Sequence, residues 1–406
     1  MNEAPDDGLP ATGGGRAGEV FRVFLALGLT SFGGPLAHLG YYRRELVEKR
    51  AWVSGEDYAT LLALCQFLPG PASSQLGCGL GWLRAGWRGA LAAWLAFSAP
   101  SWLLMTAFAL ALPRLGGVAM STALHGLELV AVAVVAHGLV GMARQLCPDG
   151  LRRVLALATT AALVVGGRAW AQLAAIGAAA LIGSLLLRGL TPPRPLSRPP
   201  AARHAWPALA LALFAVLLVG LPWLAADDPV AAIAAAFYRA GALVFGGGHV
   251  VLPLLEASVV TPGWVTPATF VAGYGAAQAV PGPLFSFAAF LGASLPPPLG
   301  GLPGAVLAFV ALFAPGLLLL AGLLPLWHRV TRHPRAAGAV AGINAAVVGL
   351  LAAALYDPLW TRGIADVGDA IVSGIGFALL WRWQRSALVV VAWCVVASLA
   401  RPLLCS

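Results

Sequence analysis

Gln66-Phe67-Leu68-Pro69-Gly70-Pro71-Ala72-Ser73-Ser74-Gln75 decides the fold, because the chain repeats it as Gln278-Ala279-Val280-Pro281-Gly282-Pro283-Leu284-Phe285-Ser286. A proline pair removes two backbone donors and breaks a helix. Both copies sit within long apolar sequence, so each reads as two half-helices joined at a break. The surroundings repeat in the same order. Phe32-Gly33-Gly34 returns as Phe245-Gly246-Gly247, and Trp52-Val53-Ser54 as Trp264-Val265-Thr266. Gly86-x-x-Gly89-Ala90 returns as Gly301-x-x-Gly304-Ala305, and Phe97-x-x-Pro100 as the tighter Phe313-Ala314-Pro315. The offset stays between 212 and 216 residues. Chance pairs of Gly and Pro are cheap in this composition, but five ordered matches at nearly one spacing indicate a duplication.

The surrounding chain faces lipid. Of its 406 residues 60% are hydrophobic and only 10% charged, and the mean hydropathy is +0.84. A soluble chain averages about 25% charged residues, so this one cannot cover a globular surface. Secreted and cytosolic enzymes and nucleic-acid-binding modules are excluded on that ground. At about 20 apolar residues per crossing, the length predicts roughly eleven to thirteen spanning or half-spanning segments. The fold class expected is an all-α polytopic membrane protein built from two repeats with broken, re-entrant helices. The net charge of +9 rests on 24 Arg and one Lys, Lys49. It reads as a topology signal.

Corresponding loops carry opposite charge. Arg43, Arg44, Glu45, Glu48, Lys49 and Arg50 follow the first Phe-Gly-Gly, but only Glu256 follows the second. Arg84 and Arg88 in the next loop have no basic counterpart in 296–303. Around Arg114 the sign reverses, with His328, Arg329, Arg332, His333 and Arg335 in the second copy. Basic loops stay in the cytoplasm, so the two halves should lie upside down relative to each other. Inverted repeats recur among secondary transporters. The stretch 58–82 then enters and leaves on one side, and Glu19–Gly40 is expected to break at Gly33-Gly34-Pro35. Five units follow: a disordered tail over 1–18, a first membrane repeat over 19–188 and a basic cytoplasmic linker over 189–204. A connecting span over 205–226 leads to the inverted repeat over 227–406. This parity puts the N-terminus in the cytoplasm and the C-terminus outside.

A half-helix N-terminus carries unpaired N–H groups and about half a positive charge, a ready anion site. Gly70, Ser73 and Ser74 after the first break, and Gly282 and Ser286 at the second, are expected to donate to an oxyanion, with the serines at N-cap positions. Gln66 and Gln278 precede each Pro-Gly-Pro by three residues and add amide donors. Glu128 lies in an apolar span with His125 at i−3, within pairing distance; its repeat partner is Asn344. Either a proton carrier or a structural pair fits. Arg84 and Arg88 fit either dianion recruitment or positive-inside anchoring. The run 43–50 resembles an interfacial amphipathic helix with i,i+3 and i,i+4 pairs. Arg239 reads as an end-of-helix snorkelling residue. The five cysteines are scattered, with no CxxC and no Cys/His cluster, so no metal or other cofactor is expected. No HExxH, GxSxG or paired intramembrane carboxylates support an enzyme.

The string FGGPxAHxxxxxxExVxxRxWxS over 32–54, LxxLxQxLPGPxSS over 61–74 and GxxRAGWRGAL over 81–91 resembles the chromate ion transporter family in its long two-domain form. The second copy, FGGG…GWVT…AQAVPGP, supports the likeness. The resemblance implies an inner-membrane carrier that expels chromate and accepts sulfate as a look-alike. It further implies functional roles for Gly33, Gly34, Pro35, His38, Arg43 or Arg44, Glu45, Trp52, Gln66, Pro69, Gly70, Pro71, Arg84 and Arg88. Gly246 and Gly247 are the second-copy substrate positions. His249, a gating candidate, stands where the family leads one to expect an aromatic residue. Ser74-Gln75 replaces a pair commonly Thr-Glu, so a carboxylate is missing there. A lipid bilayer and a tetrahedral oxyanion are the expected partners. A homodimer is compatible with such a carrier, and no motif demands one.

Overall fold

The computed structural model describes residues 16–32, 34–114, 118–166, 169–187, 196–197, 205–245, 251–327 and 334–404. Among these, every regular element is helical. Five helices are long and apolar enough to cross a membrane. The protein is an all-α polytopic membrane protein.

The first half opens with α1 (Ala17–Thr30), which ends at Ser31, and resumes as α2 (Gly34–Tyr42). The break therefore lies just before Gly34, with Pro35 inside the new helix rather than in the gap. α2 runs into a π-helical turn, Arg43–Lys49. This corrects the expected i,i+3 pattern. π-Helical hydrogen bonds span i to i+5, so the side chains realign: Arg50 meets Glu45 at 2.9 Å and Arg43 meets Glu48 at 3.6 Å, while Lys49–Glu45 keeps i,i+4 at 3.0 Å.

α3 (Gly55–Phe67) starts at Ser54, whose hydroxyl accepts the Asp57 N–H as an N-cap. It stops at Pro69-Gly70-Pro71, and α4 (Ala72–Ala111) begins. α4 is two arms, 72–84 and 87–111, folded back at Ala85 and Gly86, where Gly86 takes φ +64. A hairpin that tight needs glycine where the arms touch. A Cβ on Gly81 would stand 2.4 Å from the Gly89 carbonyl oxygen. The second half repeats the device. α9 (Pro229–Leu243), α10 (Val251–Leu255) and α11 (Pro267–Ala279) correspond to α1, α2 and α3. After the second Pro-Gly-Pro come a 3₁₀ turn (Leu284–Ser286), α12 (Phe287–Ala293) and α13 (Gly301–Leu323). Gly292 and Gly304 meet there as Gly81 and Gly89 do, 2.1 Å from a virtual Cβ to the facing carbonyl.

The remaining helices interlock the halves. α5 (Val118–Leu146), α6 (Gly150–Gly166) and α7 (Ala169–Leu186) finish the first. α8 (Trp206–Leu224) connects them, with Trp206 and Trp223 exposed. α14 (Pro334–Ala354), α15 (Val367–Trp381) and α16 (Ala387–Leu404) finish the second. α14 packs on α6 and α7, and α5 packs on α15 and α16. Each half thus lends one helix to the other's terminal pair, again by glycine contacts: Gly342 lies against Ala179 and Gly183, and Gly126 against Val395. Such exchange is what a two-fold relation between the halves produces.

Candidate functional site

Each broken helix is completed by the other half. The Gly70 N–H donates to the Val244 carbonyl at 2.6 Å, and the Gly282 N–H donates to the Ser31 carbonyl at 3.0 Å. Ser31 follows α1 and Val244 follows α9, at equivalent positions. Both turn glycines hold left-handed backbone, φ +122 and +101. A Cβ on Gly70 would stand 2.8 Å from the Gly316 Cα, and one on Gly282 2.9 Å from the Ser101 Oγ. Interrupted helices survive at membrane depth only where protein or a cavity absorbs the freed groups. Here each Pro-Gly-Pro amide is taken up by the carbonyl that follows the other half's first helix.

This geometry corrects part of the expected donor set. The Gly70 and Gly282 amides join the halves and are not free for an anion. Ser73 and Ser74 are not caps: Pro71 holds the N-cap position, and both serines lie buried inside α4. The Ser286 hydroxyl pairs with the Ser101 hydroxyl at 2.6 Å. The second half-helix is a 3₁₀ turn plus seven residues, so its dipole is weaker than that of α4.

Other side chains converge on the crossover. Gln75 is fully buried, and its Nε2 donates to the Pro69 carbonyl at 2.9 Å and to the Gly316 carbonyl at 3.0 Å. An ionised carboxylate could donate to neither, so glutamine suits this position where the sequence resemblance led one to expect a carboxylate. His38 is buried, with Nε2 3.3 Å from the Ser31 carbonyl and its ring edge-on to Phe97. Six buried polar atoms here have no hydrogen-bond partner: Ser31 Oγ, His38 Nδ1, Ser74 Oγ, Gln75 Oε1, Ser98 Oγ and Gln278 Nε2. Buried polar groups are nearly always paired, and each orphan costs about 1–3 kcal/mol. Three hydroxyls and an amide N–H₂ among them are donors, which suits an acceptor-rich guest.

The remaining predicted positions divide. Gln66 is half-buried on the last turn of α3. Arg84 is held by Glu19 at 3.3 Å and lies 5.3 Å over the Trp52 ring. Arg88 is exposed and lies over Trp87. Lys49, then Arg50, holds the Glu45 carboxyl below the usual carboxylate range. The expected His125–Glu128 pair is present at 3.3 Å. It extends further than the sequence indicated. The other ring nitrogen of His125 meets Asp369 at 3.0 Å, Asp369 is buried, and Arg401 bridges Asp369 and Asp366. Asn344 is half-buried with Oδ1 unpaired. Gly34 begins α2. Gly33, Gly246, Gly247 and His249 lie outside the described residues. Among the described residues no group of three or more His, Cys, Asp or Glu side chains could hold a metal ion.

Interrupted helices joined reciprocally between the halves, with buried unpaired donors beside them, characterise the membrane-embedded core. The family comparison specifies the class further. The chromate transporter model matches residues 18–184 and 231–399, and the chain belongs to that family. It is similar to the chromate transport protein of Cupriavidus metallidurans, 30% identical over 95% of this chain and 94% of the relative. A probable chromate transport protein of Synechococcus elongatus is 29% identical over 90% of each chain. The chromate transport protein of Pseudomonas aeruginosa is 29% identical over 92% of this chain and 89% of its own. No solved structure matches.

Proposed function

We propose that this protein exports chromate from the cytoplasm across the inner membrane, binding the dianion at the crossover of the two Pro-Gly-Pro breaks. The observation that carries the reading is the set of unpaired buried donors there, Ser31, Ser74, Ser98 and Gln278, beside a backbone junction that spends no donor on the guest. Neutral donors suit a species that must also leave. A buried cation would hold a dianion too tightly for release.

The membrane potential suffices as driving force. Moving one charge through 100 mV is worth about 2.3 kcal/mol, so a dianion leaving a negative interior gains about 4.6 kcal/mol. That sustains a concentration ratio of about three orders of magnitude. Coupling to protons is not required. Loop charges orient the protein with the basic Arg43–Arg50 turn, and hence α1's start, at the cytoplasmic face.

The test is chromate uptake into inverted membrane vesicles under an imposed potential, with and without a pH gradient. The account expects uptake that follows the potential and persists when the pH gradient is collapsed. Uptake that requires the gradient overturns the energetics, and no uptake under any potential overturns the function. Sulfate as competitor reads selectivity, since hydroxyls and amides present the same donors to either tetrahedral dianion.

A further inference from the structure

Two cavities open against equivalent helices. One, about 420 Å³, lies along α1 and is lined by Arg22, Ala26, Leu27, Thr30 and Glu45 among others. The other, about 20 Å³, lies along α9 and is lined by Arg239, Ala240, Leu243 and Ser258 among others. Four positions of the two linings correspond. Ala26 and Arg239, Leu27 and Ala240, Thr30 and Leu243, and Glu45 and Ser258 each differ by 213 residues, the offset of the Phe-Gly-Gly motif. One cavity is the repeat image of the other, at very different size. A single buried water needs about 10–15 Å³, so the smaller holds about one water and no oxyanion.

Each cavity is lined by the residue next in sequence to the crossover. Thr30 precedes Ser31, whose carbonyl accepts the Gly282 N–H; Leu243 precedes Val244, whose carbonyl accepts the Gly70 N–H. Each cavity also has an arginine on its lining. In the larger one, Glu19 is committed to Arg84, and Glu45 to Lys49 and Arg50. Arg22 makes no ion pair among the described residues, and its Nε reaches only the Gly18 carbonyl at 3.4 Å. In the smaller one Arg239 lies beside Gln172 and Ser258, with no carboxylate on the lining.

We propose that these cavities are the two ends of one dianion path, seen with the α1 end open and the α9 end shut, and that Arg22 and Arg239 receive the dianion at opposite faces. This rests on the transport reading above. It reassigns Arg239 from a lipid-interface anchor to a vestibule cation. Two inverted copies in one chain can exchange conformations, so opening the α9 cavity while closing the α1 cavity needs no new structure. Arg22 sits nine residues before Ser31 and Arg239 five before Val244, so both arginines stand back from the crossover. They concentrate the dianion at the mouth without trapping it.

Thiol labelling and transport kinetics test this together. Thr30→Cys and Leu243→Cys are reacted with a membrane-impermeant thiol reagent in inverted and right-side-out vesicles, with the parent chain as blank. Without substrate, Thr30→Cys is expected to label at least tenfold faster from the cytoplasmic face. Leu243→Cys is expected to label at least tenfold more slowly than that from either face. Equal labelling of the two, or labelling of both from one face, overturns the proposal. Ala26→Cys is a second reporter of the open end should Thr30→Cys fail to reach the membrane. In kinetics, Arg22→Gln raises the half-saturating chromate concentration about tenfold at low salt when chromate is presented at the cytoplasmic face. Arg239→Gln does so at the other face, and both effects shrink in 1 M salt. Effects confined to one face for both variants, or absent for both, overturn the assignment. If the parent chain moves no chromate, the transport reading falls, while the labelling still decides whether the cavities are opposite ends of one path.

Discussion

Replacing Gly70 by Ala should damage the protein more than replacing Gly282 by Ala, although the two are repeat equivalents. Both glycines have positive φ, so each alanine stores about 1–3 kcal/mol of backbone strain. The surroundings then differ. At Gly70 the new Cβ meets the Gly316 Cα at 2.8 Å, a backbone atom that cannot rotate away. Overpacking of this kind costs about 1–3 kcal/mol more and pushes on the 2.6 Å bond from the Gly70 N–H to the Val244 carbonyl. At Gly282 the nearest atom is the Ser101 hydroxyl, which can turn aside by giving up its Ser286 partner, for about 1 kcal/mol. The expected losses are about 2–6 kcal/mol for Gly70→Ala and about 2–4 kcal/mol for Gly282→Ala. The sharper contrast lies in rescue. Ser101→Gly should recover the contact part of the Gly282→Ala loss, about 1 kcal/mol, because it removes the nearest obstructing side chain, while the backbone strain remains. No side-chain deletion can rescue Gly70→Ala, because Gly316 has none to remove. Apparent melting temperature in detergent, followed by size-exclusion fluorescence, reads both. Equal damage from the two alanines, or no rescue by Ser101→Gly, would refute the packing argument.

Ser74→Ala and Gln278→Leu should each reduce chromate transport about tenfold or more at subsaturating substrate while membrane abundance holds, since a hydrogen bond to a charged guest is worth about 1.5–3 kcal/mol; transport rate normalised to protein level checks this. Gln75→Leu leaves the Pro69 and Gly316 carbonyls without their shared donor and should lower stability by about 1–3 kcal/mol, read as a melting shift. Arg401→Gln strips the buried Asp369 of one of its two partners and leaves His125, so the melting temperature should fall; one unchanged from the parent would contradict it. Glu45 titrates below the ordinary carboxylate range because of Lys49 and Arg50, so its ion pairs stabilise fully above the unfolded-state pKa and fade only as pH falls through the depressed folded value. Stability therefore drops on strong acidification, and Glu45→Gln should lower stability at neutral pH and flatten that acid limb.

The duplication and the helix breaks were legible because proline and glycine act locally, and the charge of each loop is read without a partner. The His125–Glu128 contact was legible because three residues along a helix fix it. The reciprocal bonds Gly70–Val244 and Gly282–Ser31 were not, since each joins residues more than 170 apart and no local pattern encodes which carbonyl a freed amide finds. The same limit hid the reach of Gln75 to Gly316 and the arrival of Asp369 and Arg401 beside His125 from two other helices. The serines differ from the expectation for a local reason: Pro71 already takes the N-cap position, which leaves Ser73 and Ser74 as the second and third residues of the first turn. Repeat symmetry held one unused clue. Once Gly70 is seen to need an acceptor, Gly282 must need the equivalent one in the other half.

The most direct measurement is the anomalous scattering of chromium in crystals of the protein soaked in chromate. A single peak beside the Gly70 and Gly282 turns, within hydrogen-bonding reach of Ser74 and Gln278, is the predicted result. A peak on a surface arginine alone, or none in a preparation that transports chromate, would contradict the account.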